Sequence, residues 1–201
     1  MKQPPQILRL KVNLKDVRPA IWRRIEVPAS YTCWDLHVAI QDAMGWFDSH
    51  LHVFRMANPQ TGDLDQIGIP DPDGFEDDPI VLEGWRVPVA RYLQKVGDRA
   101  EYEYDFGDGW EHEVLLEAVT SRQPETKYPR CIAGARACPP EDCGGPSGYA
   151  ELLKTIADPA HPERENQPAW PGGPFEPEVF DCREVHFDNP KKRWKIAFAD
   201  G

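Results

Sequence analysis

The amino-acid sequence predicts an α+β fold, a β-grasp-like roll in which helices cover one side of a mixed or antiparallel sheet. Apolar and polar residues alternate over residues 7–14 and again over 21–27, which is the period of strands with one buried face. Apolar residues then recur at helical spacing over 36–44, and alternation returns over 50–56. The order strand, strand, helix, strand places this first helix across a hairpin.

The first helix has recognisable ends. Thr32 is a good N-cap, and Asp35, three residues later, can complete a capping box. Gly45 is a suitable C-terminal stop. A second, shorter helix is predicted from Pro88 to Gly97, because proline is favoured in the first turn of a helix.

A second hairpin is predicted in the middle of the chain. Residues 100–106 alternate tyrosine and phenylalanine with acidic residues, and residues 110–119 alternate in the same way. Between them lies Gly107-Asp108-Gly109, a turn whose glycines tolerate positive φ.

Two other segments are expected to be irregular. Residues 58–83 are rich in Asp, Gly and Pro and offer little to bury, which predicts a long excursion or lid. From about 120 to 201 the chain is rich in proline and glycine, with a helix over 149–156 and a proline-rich belt over 159–177. Because this last third has too few periodic apolar residues to fold alone, we expect one domain over 1–201 with a wrapping C-terminal segment.

Charge and composition indicate a cytoplasmic protein that does not enter membranes. The chain has no export signal and no long apolar stretch, and its five cysteines, an odd number, favour reduced thiols or metal ligands over a disulfide framework. A formal net charge of −11 disfavours nonspecific attraction to nucleic acid. Residues 1–30 nevertheless hold seven basic and two acidic residues, which could form a local basic face. The alternative is that these charges only make a strand face soluble.

Four sequence blocks together resemble a known family. They are HLHVF, YDFGDGWEHEVLLE, YPRCIAGARACPPEDCGGPSGY and WPGGPFEPEVFD, in that order and across nearly the whole chain. The set is similar to the plasmid pRiA4b ORF-3-like family, some of whose members carry names that suggest a transposon resolvase.

The resemblance implies an α+β fold and a bacterial or mobile-element context. It does not imply recombination, because a serine resolvase needs a nucleophilic serine among phosphate-holding arginines. The serines of this chain, Ser30, Ser49, Ser121 and Ser147, have no such setting.

A group of histidines and aspartates forms the first candidate site. His50 and His52 are two apart on a predicted strand and should project to the same side, while His112 on another strand lies near Asp105 and Asp108 in sequence. These residues and Trp110 could line one cleft in which a metal ion activates water. The alternative is that the aspartates shape the turn, Trp110 packs and the histidines hydrogen-bond locally.

The second candidate site consists of cysteines. Cys131, Cys138 and Cys143 have a C-x6-C-x4-C spacing that could hold a structural zinc ion if His112, His50 or Cys182 supplied a fourth ligand. Reduced structural thiols and redox-active thiols are the alternatives.

Two further features have mainly structural interpretations. The acids Glu141-Asp142 are expected to cap a turn rather than to catalyse. The basic segment 191–195 could contact nucleic-acid phosphate, but it more readily forms an amphipathic helix that docks through Trp194 and Ile196 or Phe198.

The sequence thus favours an accessory or binding module, with a protein or nucleic-acid partner and a link to mobile elements or DNA-linked processes. A metal-dependent, hydrolase-like enzyme that uses the His/Asp group is the alternative. The sequence is compatible with both an enzyme and a non-catalytic module.

Overall fold

The computed structural model describes residues 5–71, 79–162 and 175–198. Within these ranges no helix has both the length and the apolar composition needed to cross a bilayer. The strands are β1 (Gln6–Leu14), β2 (Trp22–Pro28), β3 (His52–Ala57), β4 (Leu64–Gly68), β5 (Val81–Glu83), β6 (Arg99–Tyr104), β7 (Trp110–Ser121) and β8 (Arg130–Ala135). The helices are α1 (Cys33–Met44), α2 (Gly145–Ala157) and α3 (Pro190–Ala197), and Val89–Arg91 forms a single 3-10 turn in place of the longer helix expected there.

The described strands form one mixed sheet in the order β5-β4-β3-β6-β7-β1-β2-β8. Neighbouring strands are antiparallel except β4 and β5, which are parallel. The α+β class and the mixed sheet predicted from the sequence are therefore confirmed. The two predicted hairpins are present as β1–β2 and β6–β7.

The prediction that residues 58–83 form an excursion from the sheet is wrong for two parts of that segment, because β4 and β5 extend the sheet. β4 pairs with β3 on one side and with β5 on the other. Of the β4 side chains, that of Ile67 is fully buried in the core. Gly68 allows this pairing, since a Cβ there would lie 2.6 Å from the His52 carbonyl oxygen. Residues 72–78 lie outside the described residues, as does most of the predicted proline-rich belt.

The inner face of the sheet packs against α1. Side chains such as Leu10, Ile25 and Phe54 belong to one buried cluster with Leu36 and Ile40 of α1. The predicted helix ends are confirmed. Thr32 and Asp35 exchange hydrogen bonds as a capping box, and the helix stops at Gly45 with φ of 91°.

The outer face of the sheet carries cross-strand ion pairs. Because alternate residues point to opposite faces, many charged residues that alternate with buried ones lie on this side. The pairs are Arg9–Glu26, Arg130–Glu26, Arg24–Glu117, Arg99–Glu113, Arg55–Glu103 and, at the end of β1, Lys15–Glu111.

A buried arginine of β2 connects the sheet to the C-terminal segment. Arg23 is 1% exposed and donates to the carbonyls of Ala43 at 2.8 Å and Ala135 at 3.0 Å. Its guanidinium lies 3.7 Å from the centre of the Phe180 ring. Burial lowers the pKa of Arg23, and the carbonyls and the ring are the groups that replace water around it.

The C-terminal helix α3 docks on α1, as the amphipathic interpretation of residues 191–195 predicts. Trp194 and Phe198 contact Trp34 at ring-centre distances of 5.2 and 5.8 Å, whereas Ile196 is 77% exposed. Arg193 forms ion pairs with Asp42 at 2.8 Å, Asp188 at 2.6 Å and Asp48 at 3.4 Å.

Substitution of Arg193 by alanine should destabilise the protein by about 3 kcal/mol, because it leaves nearly buried carboxylates without their cation. The side chains of Asp42 and Asp48 are only 6% and 8% exposed. Urea unfolding of Arg193→Ala measures the loss. Lys192→Ala, one residue away and exposed, is the control and should stay within about 0.5 kcal/mol of the native protein; equal effects of the two substitutions would contradict this role of Arg193.

Candidate functional site

One histidine and three carboxylates meet at the edge of the sheet where β3 begins and β6 ends. The Nε2 atom of His50 lies 3.6 Å from Oδ2 of Asp105, 3.2 Å from Oδ1 of Asp142 and 3.4 Å from Oε2 of Glu141. One ligand atom each from His50, Asp105 and Asp142 lie within 4.8 Å of one another. We call His50, Asp105, Glu141 and Asp142 the His50 cluster.

The turn after β6 orients Asp105. Its backbone adopts a left-handed φ of 56°, and its Oδ1 accepts hydrogen bonds from the backbone N–H groups of Gly107 at 3.0 Å and Asp108 at 3.3 Å. Its own N–H donates to the carbonyl of Leu51 at 2.9 Å. One carboxylate oxygen thus shapes the turn, and the other faces His50.

The loop between β8 and α2 brings in Glu141 and Asp142. Trp46 anchors this loop by donating from Nε1 to the Pro139 carbonyl at 2.9 Å. Glu141 Oε1 accepts from the backbone N–H of Phe47 at 2.7 Å and from the Tyr104 hydroxyl at 3.0 Å. Burial, together with the neighbouring Glu141 carboxylate, raises the pKa of Tyr104, so its hydroxyl remains a donor.

The far end of the same loop rests on the turn after β6. Asp108 Oδ2 accepts from the backbone N–H of Gly144 at 3.2 Å. Gly145 has φ of 67° and lies so close that a Cβ there would be 2.2 Å from the Asp108 carbonyl oxygen. Glycine is therefore required where the loop meets the turn.

The imidazole nitrogen at the centre of the His50 cluster has no hydrogen bond. His50 Nε2 is buried as an atom, although the side chain as a whole is 30% exposed. A buried polar atom without a partner is uncommon and calls for an explanation such as an ion. Ligands about 2.1 Å from one tetrahedral metal ion lie roughly 3.4 Å apart, which is close to the three distances from Nε2. The geometry and the donor set therefore fit a divalent metal ion.

The structure divides the six residues that the sequence grouped into one cleft. His50 and Asp105 belong to the His50 cluster, and Asp108 supports it from behind through Gly144. His52, Trp110 and His112 are instead 3% or less exposed in the core. The six residues therefore do not line one cleft.

His52 lies apart from His50 because β3 begins only at His52. The two side chains do not share the strand geometry that would project them to the same side. The ring of His52 stacks on that of His37, with ring centres 3.5 Å apart and planes 7° from parallel. Burial lowers the pKa of His52 well below its ordinary value, so this ring is neutral.

His112 lies on β7 directly opposite Tyr102 of β6, and its side chain is fully buried. Its Nδ1 is 3.2 Å from the Tyr102 carbonyl oxygen and donates to it, while its Nε2 is buried without a partner. Burial lowers the pKa of His112 to about 4. It is a neutral core residue at ordinary pH.

A second polar network, which the sequence did not suggest, lies between α1 and β6. His37 Nε2 donates to Asp48 Oδ1 at 2.7 Å, and His37 Nδ1 accepts from the Tyr102 hydroxyl at 2.8 Å. Gln41 in turn donates to that hydroxyl at 2.9 Å. Burial lowers the pKa of His37 and raises that of Tyr102, which keeps both neutral. With His37 and Tyr102 fully enclosed, this network holds elements together rather than meeting a ligand.

The cysteines proposed for zinc do not form a ligand group. Among the described residues, no set of three His, Cys, Asp or Glu ligand atoms within 4.8 Å includes a cysteine. Cys131, Cys138 and Cys143 are free thiols, and Cys131 donates to the Ala133 carbonyl at 3.5 Å. Burial raises the pKa of Cys131 to about 11 and that of Cys143 to about 12, as for unreactive reduced thiols.

Glu141 and Asp142 are the site residues that sequence reasoning missed. The sequence predicts a capping role for them, because two adjacent acids after Pro-Pro usually shape a turn. A signal was nevertheless present, since HLHVF, YDFGDGWEHEVLLE and the block containing CPPEDCGG each supply a residue of the His50 cluster. Three of the four blocks that carry the family resemblance thus meet at one place.

Comparisons with known proteins confirm that resemblance. The model of the family described as plasmid pRiA4b ORF-3-like protein matches residues 6–184. The uncharacterized protein y4hQ of Sinorhizobium fredii is 40% identical over 167 residues, which cover 83% of this chain and 81% of the relative. The crystal structure of the protein of unknown function MM3350 from Methanosarcina mazei Go1 is similar with a TM-score of 0.82 and 43% identity, covering 92% of this chain and 100% of that one.

Replacing His112 by asparagine should reduce the loss of stability in mild acid. The unfolded chain takes up a proton on this histidine below about pH 6.5, but the folded protein does so only near pH 4, so its stabilising contribution is complete above pH 6.5 and is lost as the pH falls. The shift from 6.5 to about 4 corresponds to about 3 kcal/mol. Asparagine keeps a donor for the Tyr102 carbonyl but does not titrate.

Urea unfolding between pH 7.5 and 4.5 measures this effect. The slope of unfolding free energy against pH should be shallower in His112→Asn than in the native protein, with His37 and His52 supplying what remains. His186→Asn, at an exposed position, is the control and should keep the native slope. An unchanged slope in His112→Asn would show that His112 is not buried as a neutral ring.

Gly145→Ala should cost roughly 3 kcal/mol, because it combines an unfavourable backbone conformation with a clash against the Asp108 carbonyl. Gly62→Ala is a matched control, since Gly62 has φ of 81° but no atom within 4 Å of its added Cβ. That control should lose only about 1 kcal/mol. Equal losses in urea unfolding would mean that the loop does not press on the turn after β6.

Proposed function

We propose that this chain, which belongs to the plasmid pRiA4b ORF-3-like family, binds one divalent transition-metal ion through His50, Asp105 and Asp142, with Glu141 beside them. The observation that carries the proposal is the buried Nε2 of His50, which faces three carboxylate oxygens at 3.2–3.6 Å without a hydrogen bond. An imidazole nitrogen and carboxylate oxygens are together a suitable ligand set for Zn²⁺ or Mn²⁺.

The protein groups around the cluster support this role. Asp105 is oriented through the Gly107 and Asp108 amides, and Glu141 through Tyr104 and Phe47. Such outer contacts fix the direction of carboxylate ligands before an ion arrives. Because the Asp142 side chain is 76% exposed, the site opens to solvent on one side.

A bound ion would supply open coordination positions for water or for an anionic group of a partner. Water on such an ion is acidified enough to act as a nucleophile near neutral pH. This chemistry supports the hydrolase-like alternative, whereas binding without turnover supports an accessory module in a plasmid or mobile-element context. The β-grasp-like description of the fold is part of the proposal and is supported by the order β1, β2, α1, β3.

Isothermal titration of chelator-treated protein with Zn²⁺ and with Mn²⁺ tests metal binding. We expect one ion per chain in the native protein and at least about tenfold weaker binding in His50→Ala and Asp105→Asn, since each removes one ligand. His186→Ala is the control and should bind as the native protein does. Absence of binding to the native protein, or unchanged binding in both ligand variants, would refute the proposal.

Turnover assays of the metal-loaded protein, with an activated ester and with a phosphodiester as substrates, distinguish a hydrolase from a binding module. Turnover that disappears in His50→Ala supports the hydrolase, and stoichiometric metal binding without turnover of either substrate supports the binding module. The His112→Asn variant should keep any turnover, because His112 lies in the core and does not face the ion.

A further inference from the structure

A basic and aromatic surface lies on the outer face of the sheet, on the side formed by β1, β2 and β8. It is separate from the His50 cluster. Its residues are Arg9, Lys11, Trp22, Arg24, Arg130 and, at the connection between β7 and β8, Arg122 and Tyr128, which together we call the β1–β2–β8 patch.

A buried glutamate holds two arginines of this patch in place. The Glu26 side chain is 3% exposed, and it accepts from Arg9 at 2.9 and 3.1 Å and from Arg130 at 2.7 Å. Each arginine side chain remains 39% exposed. One negative charge therefore organises two guanidinium groups, which leaves this trio with a net positive charge and N–H donors on the surface.

Two further cations of the patch, Lys11 and Arg24, lie directly opposite each other on neighbouring strands. Like charges in such positions are destabilising. Glu117 pairs with Arg24, whereas Lys11 Nζ lies 5.3 Å from the Trp22 ring centre. These contacts offset the repulsion between the two cations and keep both of them beside the Trp22 ring.

Each aromatic ring of the patch is flanked by two cations. Lys11 and Arg24 lie 5.3 and 5.2 Å from the centre of Trp22. Arg122 and Arg130 lie 5.1 and 5.4 Å from the centre of Tyr128. A surface hollow of about 410 Å³ is lined by Arg122, Lys127 and Glu125 among others. Both rings of the patch are thus held between cations.

We propose that the β1–β2–β8 patch binds single-stranded nucleic acid. Arginine and lysine attract the phosphates, and aromatic rings on an open sheet face stack unpaired bases. The cations that cover Trp22 and Tyr128 move to phosphate when a base takes their place on the ring. Charge complementarity favours a polyanion, because the patch concentrates five cations around only two carboxylates, those of Glu26 and Glu117, although the net charge of −11 disfavours nonspecific attraction.

Fluorescence anisotropy with a labelled oligothymidylate of about twelve nucleotides tests this, since such surfaces cover several nucleotides. We expect binding to the full chain at 0.05 M salt that weakens steeply as salt is added. Lys11→Ala and Arg122→Ala should each weaken binding roughly tenfold at this salt and reduce the salt slope by about one. Because Arg122 is exposed, its removal should leave the fold intact.

Trp22→Leu and Tyr128→Leu should weaken binding about fivefold or more without changing the salt slope, because they remove stacking and not charge. Arg99→Ala is the matched control, since Arg99 lies on the same outer face, paired with Glu113, but outside the patch. Its affinity should stay within about twofold of native, as expected for a cation that contacts no phosphate.

Three results would overturn the proposal: no binding at 0.05 M salt, an Arg99→Ala loss as large as that of Lys11→Ala, or equal affinity for a duplex or for polyglutamate. Circular dichroism of every variant shows that the fold is retained. Because metal binding is measured separately, either proposal can fail while the other stands.

Discussion

The antiparallel pairing of β3 with β6 determines where the candidate site lies. His52 is opposite Tyr104, so the residues just before β3 and just after β6 are forced to the same edge of the sheet. The hydrogen bond from Asp105 N–H to the Leu51 carbonyl continues the ladder by one residue. Each strand buries one face, and a slip by one residue would expose Phe54 and Tyr102. The core thus fixes the register, and the register brings Asp105 next to His50.

Buried polar groups then connect this edge to the rest of the molecule. Asp48 lies two residues before His50, accepts from His37 of α1 and contacts Arg193 of α3. Because each of these groups would be costly to bury alone, the network specifies how α1, α3 and the chain leading to His50 fit together. The loop with Glu141 and Asp142 is held in a comparable way by Trp46 and Asp108, which come from distant parts of the sequence.

Charge is separated across the sheet. The acidic His50 cluster occupies one edge, where a cation would be attracted, and the basic β1–β2–β8 patch occupies the outer face, where an anion would be attracted. The β1–β2–β8 patch depends on the alternation of side chains along its strands, whereas the His50 cluster is built from residues just outside the strands. One sheet can therefore present two sites of opposite preference without mixing their ligands.

The sequence by itself determined the elements whose signals are local. Alternation identified β1, β2 and the β6–β7 hairpin, and capping residues identified both ends of α1, because period and cap chemistry depend only on neighbours along the chain. It also found His50 and Asp105, though in company with His52 and His112. Tertiary structure alone decided that β4 and β5 join the sheet, that β3 begins after His50, and that Glu141 and Asp142 complete the cluster. These outcomes depend on backbone pairing and on loop contacts between residues far apart in sequence, and neither leaves a periodic pattern in the residues involved.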